Sequence, residues 1–223
     1  KLGSPSLPMP GYEIDILDAE GVVLPAGELG AIAVKLPLPP SCLSTIWGAD
    51  EAYVEKYLTS FPGYYETGDA GYCDEDGYLY IMARTDDVIN VAGHRLSTGQ
   101  LEEVLADHPD IAECAVIGVA DQLKGQLPLG LICLYPNCNR LQDDIMAEAI
   151  ALVKDRVGRV SSFNLIVVIE RLPKTRSGKV LRGTMAKIAD GENWNMPATI
   201  DDPAILDEIK MALQSIGYAG GKS

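Results

Sequence analysis

The stretch "ARTDDVINVAGHRLSTGQ" (83–100) is where two patterns of sequence meet, and its reading decides how the chain divides. Upstream, apolar and polar residues alternate in short runs broken by turn residues, which is the period of strands. Downstream, apolar residues recur at helical spacing between continuous apolar runs. Within the stretch, "DVINVAGHRL" (87–96) reads as a pair of short strands. Ser97-Thr98-Gly99-Gln100 has the form of a capping box ahead of a helix carrying Leu101, Val104, Leu105 and His108 on one face. Asp86 and Asp87 mark the seam.

Towards the N-terminus, "YEIDILD" (12–18) and "LGAIAVKL" (29–36) alternate around the turn chemistry of "EGVVLPAGE", which predicts a hairpin. After "PLPPS" (37–41), "ADEAYVEKYL" (49–58) is long enough for a short helix. "YYETGDAGYCDEDGYLYIMAR" (64–84) then reads as strand, turn at Glu75-Asp76-Gly77, and strand. Towards the C-terminus, "CAVIGVA" (114–120), "LPLGLICLY" (127–135) and "FNLIVVIE" (163–170) are buried strands. A helix over 141–157 carries Ile145, Ala149 and Leu152, and another follows "SGKV" with Leu181, Met185 and Ile188. The expected fold is α+β: a β-rich unit (1–85), a small unit with an antiparallel sheet flanked by helices (86–191), and a tail (192–223) with one weak helix.

Composition narrows the function. The chain has 223 residues, 47% of them hydrophobic, which is enough for a sizeable core. No apolar run approaches the roughly 18 residues of a membrane span, and the N-terminal residues lack a secretory hydrophobic core. The five cysteines form no CxxC pair, so free thiols in a reducing compartment are expected, cytoplasmic or, in a eukaryote, the mitochondrial matrix. A net charge of −14 argues against a nucleic-acid surface. Yet Arg171, Lys174, Arg176, Lys179, Arg182 and Lys187 fall in one segment with no acid between them. That segment reads either as a solvated charge run or as a place to meet an anion.

The segment is not a Walker loop. "TRSGKV" has valine where such a loop needs a hydroxyl, and "GYAGGKS" (217–223) has the wrong glycine spacing and reads as a solvated tail. "YETGDAG" (65–71) sets Asp69 in a glycine-flanked turn, where it bonds its own backbone or accepts the two hydroxyls of a ribose. Gly93, between an apolar strand and His94-Arg95, either serves a turn or lets a ligand pass close to the backbone.

Four motifs in order, "YETGDAG", "YLYIMARTDDVINVAGHRLS", "LEEVLADHPDIAECAVIGVAD" and "LPKTRSGKVLR", resemble the adenylate-forming superfamily, specifically its short-chain acyl-CoA synthetases. "KLPLPPS", "FPGYYETGDAGY" and "DDVINVAGHR" look closer to propionyl-CoA than to acetyl-CoA synthetases. The resemblance covers nearly the whole chain but only the C-terminal part of such an enzyme. The large domain's phosphate loop, adenine site and acyl pocket have no counterpart here. It implies a mobile lid, ATP with Mg2+ and coenzyme A as substrates alongside a short-chain carboxylate, and two steps, acyl-AMP then acyl-CoA. The fragment alone is expected to be inactive.

The resemblance also implies roles. Lys179 matches the catalytic lysine, which is also the family's acylation switch, so that a lysine acyltransferase and deacylase are implied partners. Asp69 and Arg84 match residues at the ribose, and Arg95 an arginine near the phosphates. Asp86 matches the hinge. Ala92 and Gly93 match the strand lining the pantetheine tunnel, and Lys154 stands where the family has an arginine for the coenzyme A nucleotide. His108, with the carbonyls of Ala106 and Ile111, matches a metal site, although magnesium's preference for oxygen favours a plain helix-end histidine. The alternatives are an adenylating enzyme with another acceptor, such as a luciferase or a carrier-protein-loading domain, and a non-catalytic nucleotide- or coenzyme A-binding module.

Overall fold

The structure, a computed structural model, describes residues 1–220 apart from the side chain of Asp86; Gly221, Lys222 and Ser223, the end of the glycine-rich tail motif, lie outside the described residues. The chain separates into two compact units, Lys1–Asp86 and Asp87–Ser223. The first holds an antiparallel sheet in the order β1 (Ile14–Leu17), β2 (Gly30–Lys35), β3 (Tyr64–Cys73), β4 (Leu79–Arg84), with helix α1 (Asp50–Tyr57) between β2 and β3. Ile16, Ile32 and Leu79 centre its small core. Tyr53, Tyr57 and Tyr65 join α1 to β3 as a cluster of rings.

The second unit is built on one long hairpin. β7 (Ile111–Asp121) and β8 (Gly125–Leu134) pair antiparallel along nearly their whole length. β5 (Val88–Val91) joins β8 at Val91 and pairs with β6 (His94–Ser97), and β9 (Leu165–Val168) lies parallel to β8. Period-2 alternation buries both faces of this sheet. Ala115, Ile117, Val119, Leu129 and Leu131 face a core shared with α4 (Arg182–Ala189) and α5 (Ile205–Ser215). Val116, Ile132 and Ile166 face a core shared with α2 (Thr98–Ala106) and α3 (Gln142–Arg156). The expected sheet flanked by helices is present, its one parallel pairing being β8 with β9.

The structure corrects four local readings. Ser97 does sit at the start of α2, but its side chain makes no capping hydrogen bond, so the capping box does not form. In α3 the third buried residue is Val153 rather than Leu152, because the i, i+4, i+8 row of Ile145, Ala149 and Val153 faces the core. The C-terminal segment is no loose tail. Ile205, Leu206, Ile209 and Leu213 of α5 are buried in the same core as Met185 and Ile188, since their spacing places them along one stripe. Nor do the residues after α5 lie free in solvent: Ala219 is buried and donates its N–H to the carbonyl of Ala189 at 2.8 Å.

All five cysteines are free. Burial pushes the Cys114 and Cys133 thiols up to about 11, so both are protonated near neutral pH. These two are expected to react with a thiol reagent far more slowly in the folded chain than in urea. Leu213→Ala is expected to lower the unfolding free energy by about 2–5 kcal/mol in urea titration, the cost of emptying a packed leucine site. A change below about 0.5 kcal/mol would return α5 to the status of a surface appendage.

Candidate functional site

In the first unit Asp69 lies in β3, not in a turn. The glycine that suggested a turn, Gly68, lies inside the strand at a positive φ of 77°, where the β2–β3 register shifts between Ala31 and Ala33. The Thr67 hydroxyl donates to the Ile32 carbonyl and accepts from the Asp69 N–H at 3.1 Å, so the Asp69 backbone is held by its neighbour. Its carboxylate faces Arg84, its cross-strand partner on β4, with Nη1 and Oδ1 at 3.5 Å. Arg84 also borders a groove of about 420 Å³ lined by Lys56, Glu66 and the stacked rings of Tyr57 and Tyr65, 5.2 Å apart. The expected ribose pair is therefore brought together beside an open groove with an aromatic wall.

In the second unit "LPKTRSGKV" forms a tight loop. Lys174 bridges to Val180, the Thr175 N–H donates to the Lys179 carbonyl at 2.8 Å, and Gly178 takes a positive φ of 84° that closes the turn. The Thr175 hydroxyl accepts the Lys179 N–H at 3.0 Å, fixing the backbone beneath the lysine. The positive segment is then sorted by pairing. Arg171 binds Asp202 and Glu208, Lys174 binds Glu113, and Arg182 binds Glu102. Arg176, Lys179 and Lys187 have no carboxylate partner among the described residues, and the first two are exposed at the loop tip.

Ala92 and Gly93 form the tip of the β5–β6 hairpin, both at positive φ, 49° and 86°, as a two-residue turn of this kind requires. A Cβ built on Gly93 meets no atom within 4 Å, so the tip opens to solvent. Arg95 follows on β6 opposite Asn90. Lys154 is half-buried in the last turn of α3 and makes no ion pair among the described residues. Of Asp86 only its backbone is described, in the 3-10 turn Thr85–Asp87 at the division between the units.

His108 is buried just beyond α2, and its ring is engaged on both sides. Nδ1 accepts the Asp110 N–H at 3.3 Å, which leaves the proton on Nε2 to face Glu148 Oε2 at 3.3 Å. Arg140 bridges Asp110 and Glu148 and, through its hydrogen bond, holds the Glu148 carboxyl below the usual carboxylate range. No group of three or more His, Cys, Asp or Glu residues able to hold a metal occurs among the described residues. The ring thus offers no nitrogen to a metal. What remains of the expected ligand set is main-chain oxygen, at Ala106, where α2 ends, and at Ile111, where β7 begins.

Residues 100–179 match the family described as AMP-binding enzyme C-terminal domain, a span that runs from the start of α2 to Lys179 itself. The chain is 46% identical over 206 residues to the mitochondrial acyl-CoA synthetase short-chain family member 3 of Mus musculus, covering 92% of this chain and 30% of that protein. It is 42% identical over 221 residues to the propionate–CoA ligase of Escherichia coli, covering 96% and 35%. This chain is homologous to the C-terminal part of short-chain acyl-CoA synthetases. The acetoacetyl-CoA synthetase of Streptomyces lividans has the same fold over 96% of this chain and 32% of its own, with a TM-score of 0.79 at 20% identity. The chain spans about a third of the length of the curated relatives it matches. No helix among the described residues is long and apolar enough to cross a membrane.

One pair in this chain escaped the sequence reading. Arg182 opens α4, three residues after Lys179, and grips Glu102 of α2 through Nε to Oε1 at 2.8 Å and Nη2 to Oε2 at 2.6 Å. Glu102 Oε1 also accepts the Val116 N–H at 2.8 Å. The pair is largely buried, and the carboxylate holds Arg182 more firmly protonated than usual. Nothing in linear spacing marks two residues 80 positions apart. Glu102→Ala strands a half-buried guanidinium and is expected to cost about 1–3 kcal/mol. Amide exchange over 173–181 is expected to speed up before that of β8; equal acceleration everywhere would show that the pair does not anchor the loop.

Proposed function

We propose that this chain is the C-terminal part of an ATP-dependent short-chain acyl-CoA ligase, that propionate is its carboxylate, and that residues 87–220 act as a lid hinged at Asp86. The observation that carries this reading is Lys179: an exposed ammonium without a carboxylate partner among the described residues, on a loop where Arg171, Lys174 and Arg182 are neutralised, in a chain of net charge −14. Such a group has no stabilising role to perform where it stands. It fits a side chain held ready for an anion.

In the first half-reaction a carboxylate oxygen attacks the α-phosphorus of ATP. An O–P bond forms, the bond to pyrophosphate breaks, and acyl-AMP remains. The nucleophile is already an anion, so no base is needed and the obstacle is charge. Lys179 donates hydrogen bonds to the carboxylate and α-phosphate oxygens, while the carboxylate of Asp69 accepts from the ribose hydroxyls and Arg84 supports it from the adjacent strand. Arg95 lies towards the phosphates. Magnesium enters with ATP, neutralising its phosphates.

In the second half-reaction the sulfur of coenzyme A attacks the acyl carbon. A C–S bond forms, the C–O bond to AMP breaks, and the thiol proton is lost to solvent. Ala92 and Gly93 would line the passage for the thiol, with Lys154 towards the nucleotide end. Rotation about Asp86 withdraws Lys179 and brings up the hairpin tip, so one lid serves both steps. Acylation of Lys179 by a lysine acyltransferase removes its charge, stops the first step alone, and is reversed by a deacylase. The five free thiols support a reducing compartment, cytoplasm or mitochondrial matrix.

In the full-length enzyme, Lys179→Ala is expected to lower propionate-dependent ATP/pyrophosphate exchange by at least about a hundredfold while thioester formation from supplied propionyl-AMP persists. Equal loss of both would sink the assigned role. Gly93→Leu is expected to do the reverse, sparing exchange and blocking transfer to coenzyme A. Supplying a carrier protein in place of coenzyme A separates this reading from an adenylating enzyme with another acceptor.

A further inference from the structure

The residues at strained backbone angles around the β5–β6 hairpin converge on one lysine. Among the described residues four that are not glycine have positive φ: Ser6, Ala92, Ser162 and Ala219. Two of them, Ala92 and Ser162, are bonded to Lys124. The Ala92 N–H donates to the Lys124 carbonyl at 2.8 Å, and the Lys124 ammonium donates to the Ser162 hydroxyl at 2.9 Å. Ser162 follows the 3-10 turn Arg159–Ser161, which packs against β6 and continues from α3. Lys124 itself sits in the β7–β8 turn, where its N–H and that of Leu123 donate to the Asp121 carboxylate at 2.8 and 3.0 Å.

Left-handed angles at residues other than glycine cost of order 1 kcal/mol or more and persist only where the surroundings enforce them. The two-residue turn itself asks for the angle at Ala92, and Lys124 adds a hold on both residues, through its carbonyl at Ala92 and its ammonium at Ser162. The Lys124 side chain is exposed, and among the described residues its ammonium bonds the Ser162 hydroxyl and forms no ion pair. Asn90, on the strand leading to the tip, is held in the same manner, its N–H donating to Gln126 Oε1 at 2.9 Å.

We propose that Lys124 is a positioning residue for thioester formation: by spanning Ala92 and Ser162 it sets the height and angle of the hairpin tip past which the coenzyme A thiol must travel. The inference rests on the assignment of Ala92 and Gly93 to the thiol passage. Lys124 acts through Ala92 and has no part in adenylation, so its loss affects one half-reaction.

The test uses the full-length enzyme with Lys124→Met, Ser162→Ala and the double variant, assaying ATP/pyrophosphate exchange and thioester formation from supplied acyl-AMP separately. Each single variant is expected to raise the KM for coenzyme A or slow transfer by about three- to tenfold, with exchange unchanged, and the double variant is expected to be no worse than either single one. Exchange at the normal rate certifies the fold in each case. If Lys124→Met impairs transfer and Ser162→Ala does not, the lysine meets coenzyme A directly and the proposal falls. It falls also if exchange and transfer decline together, or if neither single variant changes transfer. Gly93→Leu in parallel separates the layers: normal transfer in that variant removes the thiol passage itself, whereas a block there with normal transfer in the Lys124 and Ser162 variants removes only the role of Lys124.

Discussion

The second unit depends on the β7–β8 ladder being dry on both faces. Leu129, Leu131 and Ile117 on one side and Ile132 and Val116 on the other are fully or almost fully buried, so helices must cover both sides and every polar group at the margins needs a partner. Among the described residues β7 pairs with β8 alone, and two N–H groups on its remaining edge are met by side chains. The Val116 N–H goes to Glu102 of α2 and the Ala120 N–H to Asp190 at the end of α4, each at 2.8 Å. These carboxylates satisfy an exposed strand edge and bring α2 and α4 to fixed places along it. Because Glu102 also clamps Arg182, the same edge fixes where the loop carrying Lys179 ends.

The sorting of positive charge follows from that frame. An acidic chain with a basic segment could have neutralised it throughout, and in part it does. Arg171, Lys174 and Arg182 each point back to acids on neighbouring elements and serve as ties between α5, β7, α2 and the loop. Exposed pairs of this kind contribute little stability on their own, whereas the bidentate, largely buried Arg182–Glu102 pair fixes geometry. Along "RLPKTRSGK" the first two cations, Arg171 and Lys174, are paired and the last two, Arg176 and Lys179, have no carboxylate partner among the described residues, which distinguishes side chains that hold the loop from those it presents. Acylation of Lys179 would remove a presented charge without breaking any tie.

Much of this was legible in the sequence because the determining signals are local. Alternation in "CAVIGVA", the apolar run "LPLGLICLY" and the turn at Gly93 each lie within a few residues of the structure they specify. The readings that failed depended on competition or on distance. Gly68 is a turn residue by propensity, yet pairing of β3 with β2 and β4 on both sides keeps it inside a strand. α5 was read as weak although Ile205, Leu206, Ile209 and Leu213 lie along one stripe; what its own residues do not reveal is the surface of β9 and α4 that buries that stripe. Glu102, Lys124 and Ser162 act through partners far along the chain, and such pairings have no linear signature.

His108 illustrates how one residue can satisfy a motif and still have its local chemistry decided by its neighbours. A histidine at a helix end with carbonyls nearby fits an expected metal position, but an imidazole that accepts at Nδ1 and donates at Nε2 has no lone pair left for a metal. The positive charge in that corner is supplied by Arg140, which joins Asp110 and Glu148 and so ties the end of α2 to α3. The corner is neutralised by the protein's own charges, and the ring serves to pack and orient them. A cation held only by main-chain oxygens at the ends of α2 and β7 would leave this network intact, so the ring's role in the fold is the same with or without one.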